Sequence, residues 1–262
     1  EYIFAVSKES VDDITLVMAM AMSLDGRKSL LKTSKIDSDG DIFYYKVELP
    51  FPIAPQSETS FTVSLILTNQ LYPYPEKIAM DQDQVVRLNT VYYPLTPYDT
   101  LEYTFGFLGA KEFNDVSDST DLPYDLEKQE DESKIFFSTS ERITGTTYKK
   151  LIASFVKNSP LKYVNYLKRD LWISHWSNAL ELEEYYELTN KAAQLESGFN
   201  RAEWFNGRYA MKQYFGLENL RFPIKNKEIA HDSIYFTDKV GNVSTSQVFE
   251  DEIIFKPRFP LY

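Results

Sequence analysis

The sequence predicts a mainly β fold: two consecutive antiparallel β-sandwich-like domains, with one short helix in the second. Three observations carry that expectation. In run after run apolar residues recur at every second position, the period that places one face of a strand in a core and the other in water. Aromatic residues make up 15% of the chain, and such side chains suit pleated, half-buried surfaces. A cluster of turn-forming residues, Lys157-Asn158-Ser159-Pro160, then divides the chain into domains of 1–158 and 159–262. With 262 residues, 43% of them hydrophobic, the chain is long enough for two ordinary domains and a real core.

The first domain reads as strand after strand. Ile14, Leu16, Met18, Met20 and Met22 alternate with smaller residues, Phe43, Tyr45, Val47 and Leu49 with Tyr44, Lys46 and Glu48, and Phe61, Val63, Leu65 and Leu67 with Thr62 and Ser64. The Met stripe fits core filling better than a partner surface. Asp37-Ser38-Asp39-Gly40 signals a turn, and Pro50, Pro52 and Pro55 break the chain before the next run. Pro73, Pro75, Pro94 and Pro97 then hold two extended Tyr-Pro segments, read as packed loops of a sandwich with a ligand groove as the alternative. Leu101, Tyr103, Phe105 and Phe107 alternate again as a strand.

From Glu112 to Lys134 the side chains of Asp115, Asp118, Asp121, Asp125, Glu127, Glu130, Asp131 and Glu132 crowd a stretch with few large apolar residues, which predicts a solvated loop. Their spacing does not follow a calcium-binding loop. Runs from Lys134 to Ser138 and from Tyr148 to Val156 return to strand character.

The second domain opens on Tyr163 to Asn190. Leu180, Leu182, Tyr186 and Leu188 alternate with Glu181, Glu183 and Glu187, while the limb from Tyr163 to Ile173 is apolar on both sides. The link His175-Trp176-Ser177-Asn178 is too short for a crossover, so the two limbs predict a long antiparallel hairpin. Two apolar faces predict burial of Trp172, so the Trp172 to Trp176 end is expected to anchor the domain. Truncating such a Trp costs about 3–5 kcal/mol. A sugar-stacking platform is the alternative. Beyond the hairpin, Lys191 to Leu195 is expected to continue helically or as a turn, and Asn200 to Phe215 is the helix, with Asn200 as N-cap and Glu203 in a capping-box position. Asn219 to Ile224, Ser233 to Thr237 and Glu252 to Lys256 read as strands.

Composition narrows the functions. A net charge of -11 opposes nucleic-acid binding, which rests on Lys and Arg. With no cysteine, disulfides, thiol nucleophiles and thiolate metal sites are all excluded. The two histidines, His175 and His231, form no metal-binding pair, and no phosphate loop or nucleophile elbow is present. No catalytic residue, cofactor or metal is therefore expected. A pair of carboxylates could still hydrolyse glycosides, but Glu181, Glu183 and Glu187 are sufficiently explained as the wet face of a strand. One motif does carry chemistry, as a substrate. Asn242-Val243-Ser244 is an N-glycosylation sequon, preceded by a turn-forming Gly241.

Several segments together resemble one family. The runs RDLWISHW, EEYYELTNKAA, DKVGNVSTS and KPRFPLY, with YPYP and TPYDT earlier, are similar to ribophorin I, a subunit of the eukaryotic oligosaccharyltransferase complex. The resemblance spans nearly the whole chain and is strongest over Arg169 to Ala193 and Asp238 to Tyr262. It implies the lumenal part of a single-span protein of the endoplasmic reticulum membrane. The membrane anchor and parts of both β-rich domains are then expected outside this fragment, since it starts within a strand and stops where the family continues with a glycine pair and a tryptophan. It further implies a non-catalytic role in moving a preassembled oligosaccharide from dolichol diphosphate to Asn of Asn-x-Ser/Thr. The expected partners are the other subunits, including a multi-spanning catalytic one, and nascent acceptor polypeptides. A secreted β-sandwich protein that binds or hydrolyses glycans is the rival reading, and an adhesion-like structural domain a third.

Overall fold

A computed structural model of the chain describes residues 1–22, 27–40, 42–117, 122–131, 134–207, 216–224 and 229–262. It is mainly β, with two compact units: Glu1–Leu71 with Arg87–Phe155, and Tyr72–Val86 with Val156–Tyr262. In chain order the first strands are β1 (Tyr2–Ser7), β2 (Ile14–Met22), β3 (Lys28–Asp39), β4 (Ile42–Glu48) and β5 (Phe61–Leu67), with a helical turn α1 (Lys8–Val11) after β1. These five form one sheet in the order β1-β4-β3-β2-β5. Phe4 lies directly opposite Tyr45 in the β1/β4 register, and their rings stack at 5.4 Å. Around them Val6, Ala19 and Val47 are buried.

The core side of β2 differs from the expected one. A bulge between Ile14 and Leu16 shifts the register, so Ile14, Val17 and Ala19 face the core while Leu16 turns out. Met22 is consequently 66% exposed, and Met18 and Met20 are only half-buried, so the Met stripe is not part of the buried cluster. Because β2 is apolar on both sides, alternation alone does not choose the buried face. Strand β3 escapes the sequence reading, its Lys-, Ser- and Asp-rich run being held by pairing with β2 and β4. It runs through Asp39, and Gly40 then turns the chain at φ +60.

The chain continues through β6 (Leu71–Pro73), β7 (Lys77–Ile78), β8 (Val85–Val91), β9 (Tyr103–Leu108), β10 (Lys111–Asp115), β11 (Glu127–Asp131), β12 (Lys134–Thr139) and β13 (Lys150–Val156). Strands β11, β12 and β9 form a sheet in that order, and β10, β13 and β8 are neighbours in another. Phe105 and Phe137 pair directly and stack at 4.9 Å, beside buried Phe113, Ile135 and Ala153. Opposite Phe136 stands Gly106, where a Cβ would meet the Phe136 ring at 2.5 Å. The acidic stretch is thus not simply a loop, because β10 and β11 lie within it. Buried Phe113 recruits the first, and pairing with β12 the second. Asp118, Asp121 and Glu132 lie outside the described residues.

The Tyr-Pro segment at Tyr92-Tyr93 is packed, both rings being almost fully buried. The Tyr92 hydroxyl bonds with Asp115 and Ser117, and burial pushes its pKa up to about 12. Tyr93 donates to the Tyr124 carbonyl at 2.7 Å.

The second unit is built on β14 (Lys162–Ser174) and β15 (Ala179–Asn190), the expected hairpin with residues 175–178 as its turn. After it come β16 (Gln194–Leu195), α2 (Arg201–Gly207), β17 (Leu220–Pro223), a 3-10 turn (His231–Ser233), β18 (Thr237–Asp238), β19 (Gly241–Asn242), β20 (Gln247–Val248) and β21 (Glu252–Phe255). Lys191 to Leu195 does not continue helically but ends in a strand: β16 pairs in parallel with β7, and Ile78 packs with Ala192, Ala193 and Leu195. Asn200 caps α2, its side-chain oxygen accepting the Ala202 N–H at 2.9 Å. The remainder of the expected helix, 208–215, lies outside the described residues. Ser233 to Thr237 is not a strand, since the 3-10 turn takes its start and β18 begins only at Thr237. Strands β17, β21 and β20 form an antiparallel sheet in that order.

Candidate functional site

The sequon lies on a tight hairpin. Strands β18 and β19 pair Thr237 with Asn242 and Asp238 with Gly241, leaving Lys239-Val240 as the turn. Gly241 has φ +136, a conformation that side chains disfavour. Asp238 organises the turn from one end: its Oδ1 accepts the N–H groups of Val240 at 2.8 Å and Gly241 at 2.9 Å. Its Oδ2 accepts Arg258 Nε at 2.6 Å, and the same guanidinium donates to the Asn242 carbonyl at 2.9 Å. That hydrogen bond from Arg258, with those of the two turn amides, holds the Asp238 carboxyl below its ordinary range.

Within the sequon the three residues have different roles. Val243 is buried, and its N–H donates to the Phe236 carbonyl at 2.8 Å. Asn242 and Ser244 on either side are exposed. An anchored middle residue therefore presents the Asn carboxamide and the Ser hydroxyl to solvent on a fixed backbone, a geometry suited to a modification acceptor. Asp238 and Arg258 escaped the sequence reading. The signal for Asp238 was available, since Asp two and three residues before the amides it accepts is an Asx-type turn. Arg258 had none, being 20 residues away in the chain.

The second feature is the β14–β15 ribbon. Its register sets Leu167 opposite Tyr186, Arg169 opposite Glu184, Leu171 opposite Leu182 and Ile173 opposite Leu180 on one face. The other face carries Tyr166 opposite Glu187, Lys168 opposite Tyr185, Asp170 opposite Glu183 and Trp172 opposite Glu181. Near its base the ribbon is held. Asn190 Oδ1 accepts the N–H groups of Leu161 at 3.0 Å and Ala192 at 3.1 Å, and Nδ2 donates to the Leu261 carbonyl at 2.8 Å. Tyr186 packs against Phe222, and burial raises its pKa to about 12.

Toward its turn the ribbon is uncovered, which overturns the expected burial of Trp172. Trp172 is 64% exposed and Trp176 is 101% exposed. Leu171, Ile173, Leu180 and Leu182 are exposed as well. Among the described residues β14 and β15 form a sheet of two strands, and the exposure of side chains on both its faces shows that no layer of those residues covers this end. Apolar faces in sequence signal that something covers them; they do not say that the cover belongs to the same described chain.

His175 sits exposed in the turn, and Glu181, Glu183 and Glu187 are exposed on one face as expected. The His231 side chain lies outside the described residues. Among the described residues no three His, Asp or Glu side chains converge as a metal site requires, and no helix is long and apolar enough to cross a membrane.

Comparison with known proteins places these features in context. A family model described as Ribophorin I matches residues 1–262. The chain is 29% identical over 266 residues to dolichyl-diphosphooligosaccharide-protein glycosyltransferase subunit 1 of Caenorhabditis elegans, covering 99% of this chain and 43% of that relative. It is 26% identical over 272 residues to subunit 1B of Arabidopsis thaliana, covering 100% of this chain and 56% of the relative. Subunit 1A of the same plant is 29% identical over 227 residues, or 84% of this chain and 35% of its own length. The chain thus spans about half the length of the first two of these relatives.

Proposed function

Because this chain belongs to the ribophorin I family, we propose that it is the lumenal part of a non-catalytic subunit of the oligosaccharyltransferase complex. In that role it scaffolds the complex that transfers a preassembled oligosaccharide from dolichol diphosphate to Asn of Asn-x-Ser/Thr, and takes part in handling acceptor polypeptides. The single observation that carries this reading is the match of one family model over residues 1–262, with relatives that are named as subunits of a glycosyltransferase. The proposed site is the endoplasmic reticulum membrane, with this part on the lumenal side. Catalysis is assigned to another, multi-spanning subunit.

Two further points belong to the proposal. Asn242 is an acceptor of N-glycan, supported by its exposure on the anchored β18–β19 hairpin. The break at Lys157-Pro160 opens the second lumenal domain, with Tyr72–Val86 completing it, as the composition of the second compact unit supports.

The deciding experiment is affinity purification of the full-length protein from detergent-solubilised membranes. Recovery of the multi-spanning transferase subunit supports the proposal. A protein recovered alone, with hydrolase activity on glycans, would replace it with the rival reading. In parallel, the purified 262-residue chain is incubated with lipid-linked oligosaccharide and acceptor peptide, and turnover above background would remove the non-catalytic assignment.

A further inference from the structure

Among the described residues strand β15 pairs over 179–187 with β14 alone, so its outer edge presents backbone N–H and C=O groups that no described strand covers. A long open edge of this kind is a template for an added strand. The order of side chains along it then fixes what that strand must carry. Leu180 and Leu182 point to the face that also holds Ile173 and Leu171, all four exposed. Glu181, Glu183 and Glu187 point to the other face and are also exposed. On the glutamate face Lys168 is engaged with Asp170 at 2.6 Å, and Arg169, on the other face, with Glu184. The row of three glutamates is therefore left with net negative charge.

We propose that the outer edge of β15 binds an extended polypeptide in which apolar and basic residues alternate. The added strand continues the ribbon through main-chain hydrogen bonds. Its apolar side chains lie beside Leu180 and Leu182, and its basic ones beside Glu181, Glu183 and Glu187. Affinity comes from the backbone and the aliphatic face, and choice of partner from the glutamate row. A lipid surface fits these observations less well. Immersing this end would carry Glu181, Glu183 and an open strand edge into a medium that cannot satisfy them. The inference concerns the ribbon itself and does not depend on the place of the chain in a transferase complex.

The test uses the 262-residue chain and fluorescein-labelled peptides of alternating valine and lysine, with alternating valine and glutamate as the control. Anisotropy is expected to show binding of the lysine peptide, weakened by salt, with hydrogen exchange slowed at the amides of 180–187. The double variant Glu181→Lys/Glu183→Lys should bind about tenfold more weakly, as expected when two surface attractions become repulsions. Glu183→Gln should give a smaller loss in the same direction, and Leu180→Ser/Leu182→Ser a loss that does not depend on salt. Equal binding of the glutamate peptide, or unchanged affinity of the double variant in a chain that melts like the parent, would overturn the proposal. So would binding to phosphatidylcholine vesicles that Trp176→Ala abolishes, without peptide binding, since the ribbon would then be a membrane contact.

Discussion

The side-chain oxygen of Gln84 accepts the backbone N–H of Ala193 at 2.8 Å across 109 residues of chain. Gln84 is fully buried, and its Nε2 donates to the carbonyls of Lys157 at 2.7 Å and Ser159 at 3.1 Å. One amide thus joins the segment before the hairpin to the segment after it. Replacing it with an apolar residue of similar size, Gln84→Met, leaves one buried and two part-buried backbone groups without this partner. The expected loss is about 2–4 kcal/mol, less than the sum of three such groups because the site relaxes. Denaturant unfolding measures it, and a loss below about 0.5 kcal/mol, the level of an ordinary surface change, would show that the amide is not structural.

Ile78 leads to a related expectation for fragments. Its side chain is buried against Ala192, Ala193 and Leu195, and β7 is the parallel partner of β16. A fragment of 159–262 lacks Ile78 and Gln84 together. It is expected to melt without a cooperative transition, and addition of a synthetic 72–86 peptide should restore one. Cooperative unfolding of 159–262 by itself would mean that the segment is dispensable.

Trp172 and Trp176 offer a sharp contrast with Gln84. Both indoles are exposed, so Trp172→Ala and Trp176→Ala should each change stability by no more than about 0.5 kcal/mol. Thermal melts of the two variants check this. A loss in the range of about 3–5 kcal/mol for Trp172→Ala would show the ring to be buried after all.

The Asp238 clamp has a defined pH signature. Its carboxyl is held below the ordinary value of 3.8, first by Arg258 and then by the amides of Val240 and Gly241. A depressed folded value means stability that is present above 3.8 and lost as pH falls through that lower folded value. The β18–β19 hairpin should therefore loosen only below pH 3.8, and Arg258→Gln should move the Asp238 titration back toward 3.8. Carboxyl chemical shifts followed against pH report both. An Asp238 titration unmoved by Arg258→Gln would assign the shift to the turn amides alone.

Asn242 is the single Asn-x-Ser/Thr sequon of the chain. Sent through the secretory pathway of a eukaryotic cell, the protein should gain one endoglycosidase-sensitive mass increment. Asn242→Gln and Ser244→Ala should each remove it, and Ser244→Thr should keep it. An increment that survives Asn242→Gln would place the modification elsewhere.

The sequence by itself determined the fold class, most of the strands and the hairpin, because these depend on local order: a period of two, turn residues, and a link too short to cross over. It likewise determined the family, through motifs spread along the chain, and it marks Asn242 as a sequon, through a three-residue pattern. The tertiary structure decided which side of each apolar strand is buried. For β2 a bulge chose Ala19 over Met22, and for the hairpin no layer of the described residues covers the face that carries Trp172, which stands in solvent. It also decided that Gln84 and Asn190 hold the base of the ribbon and that Arg258 fixes the sequon hairpin. Those roles rest on partners distant in the chain, and a lone polar residue carries no local trace of the backbone groups it will meet. Periodicity reports that a surface is apolar; only the arrangement of neighbours in space says what covers it.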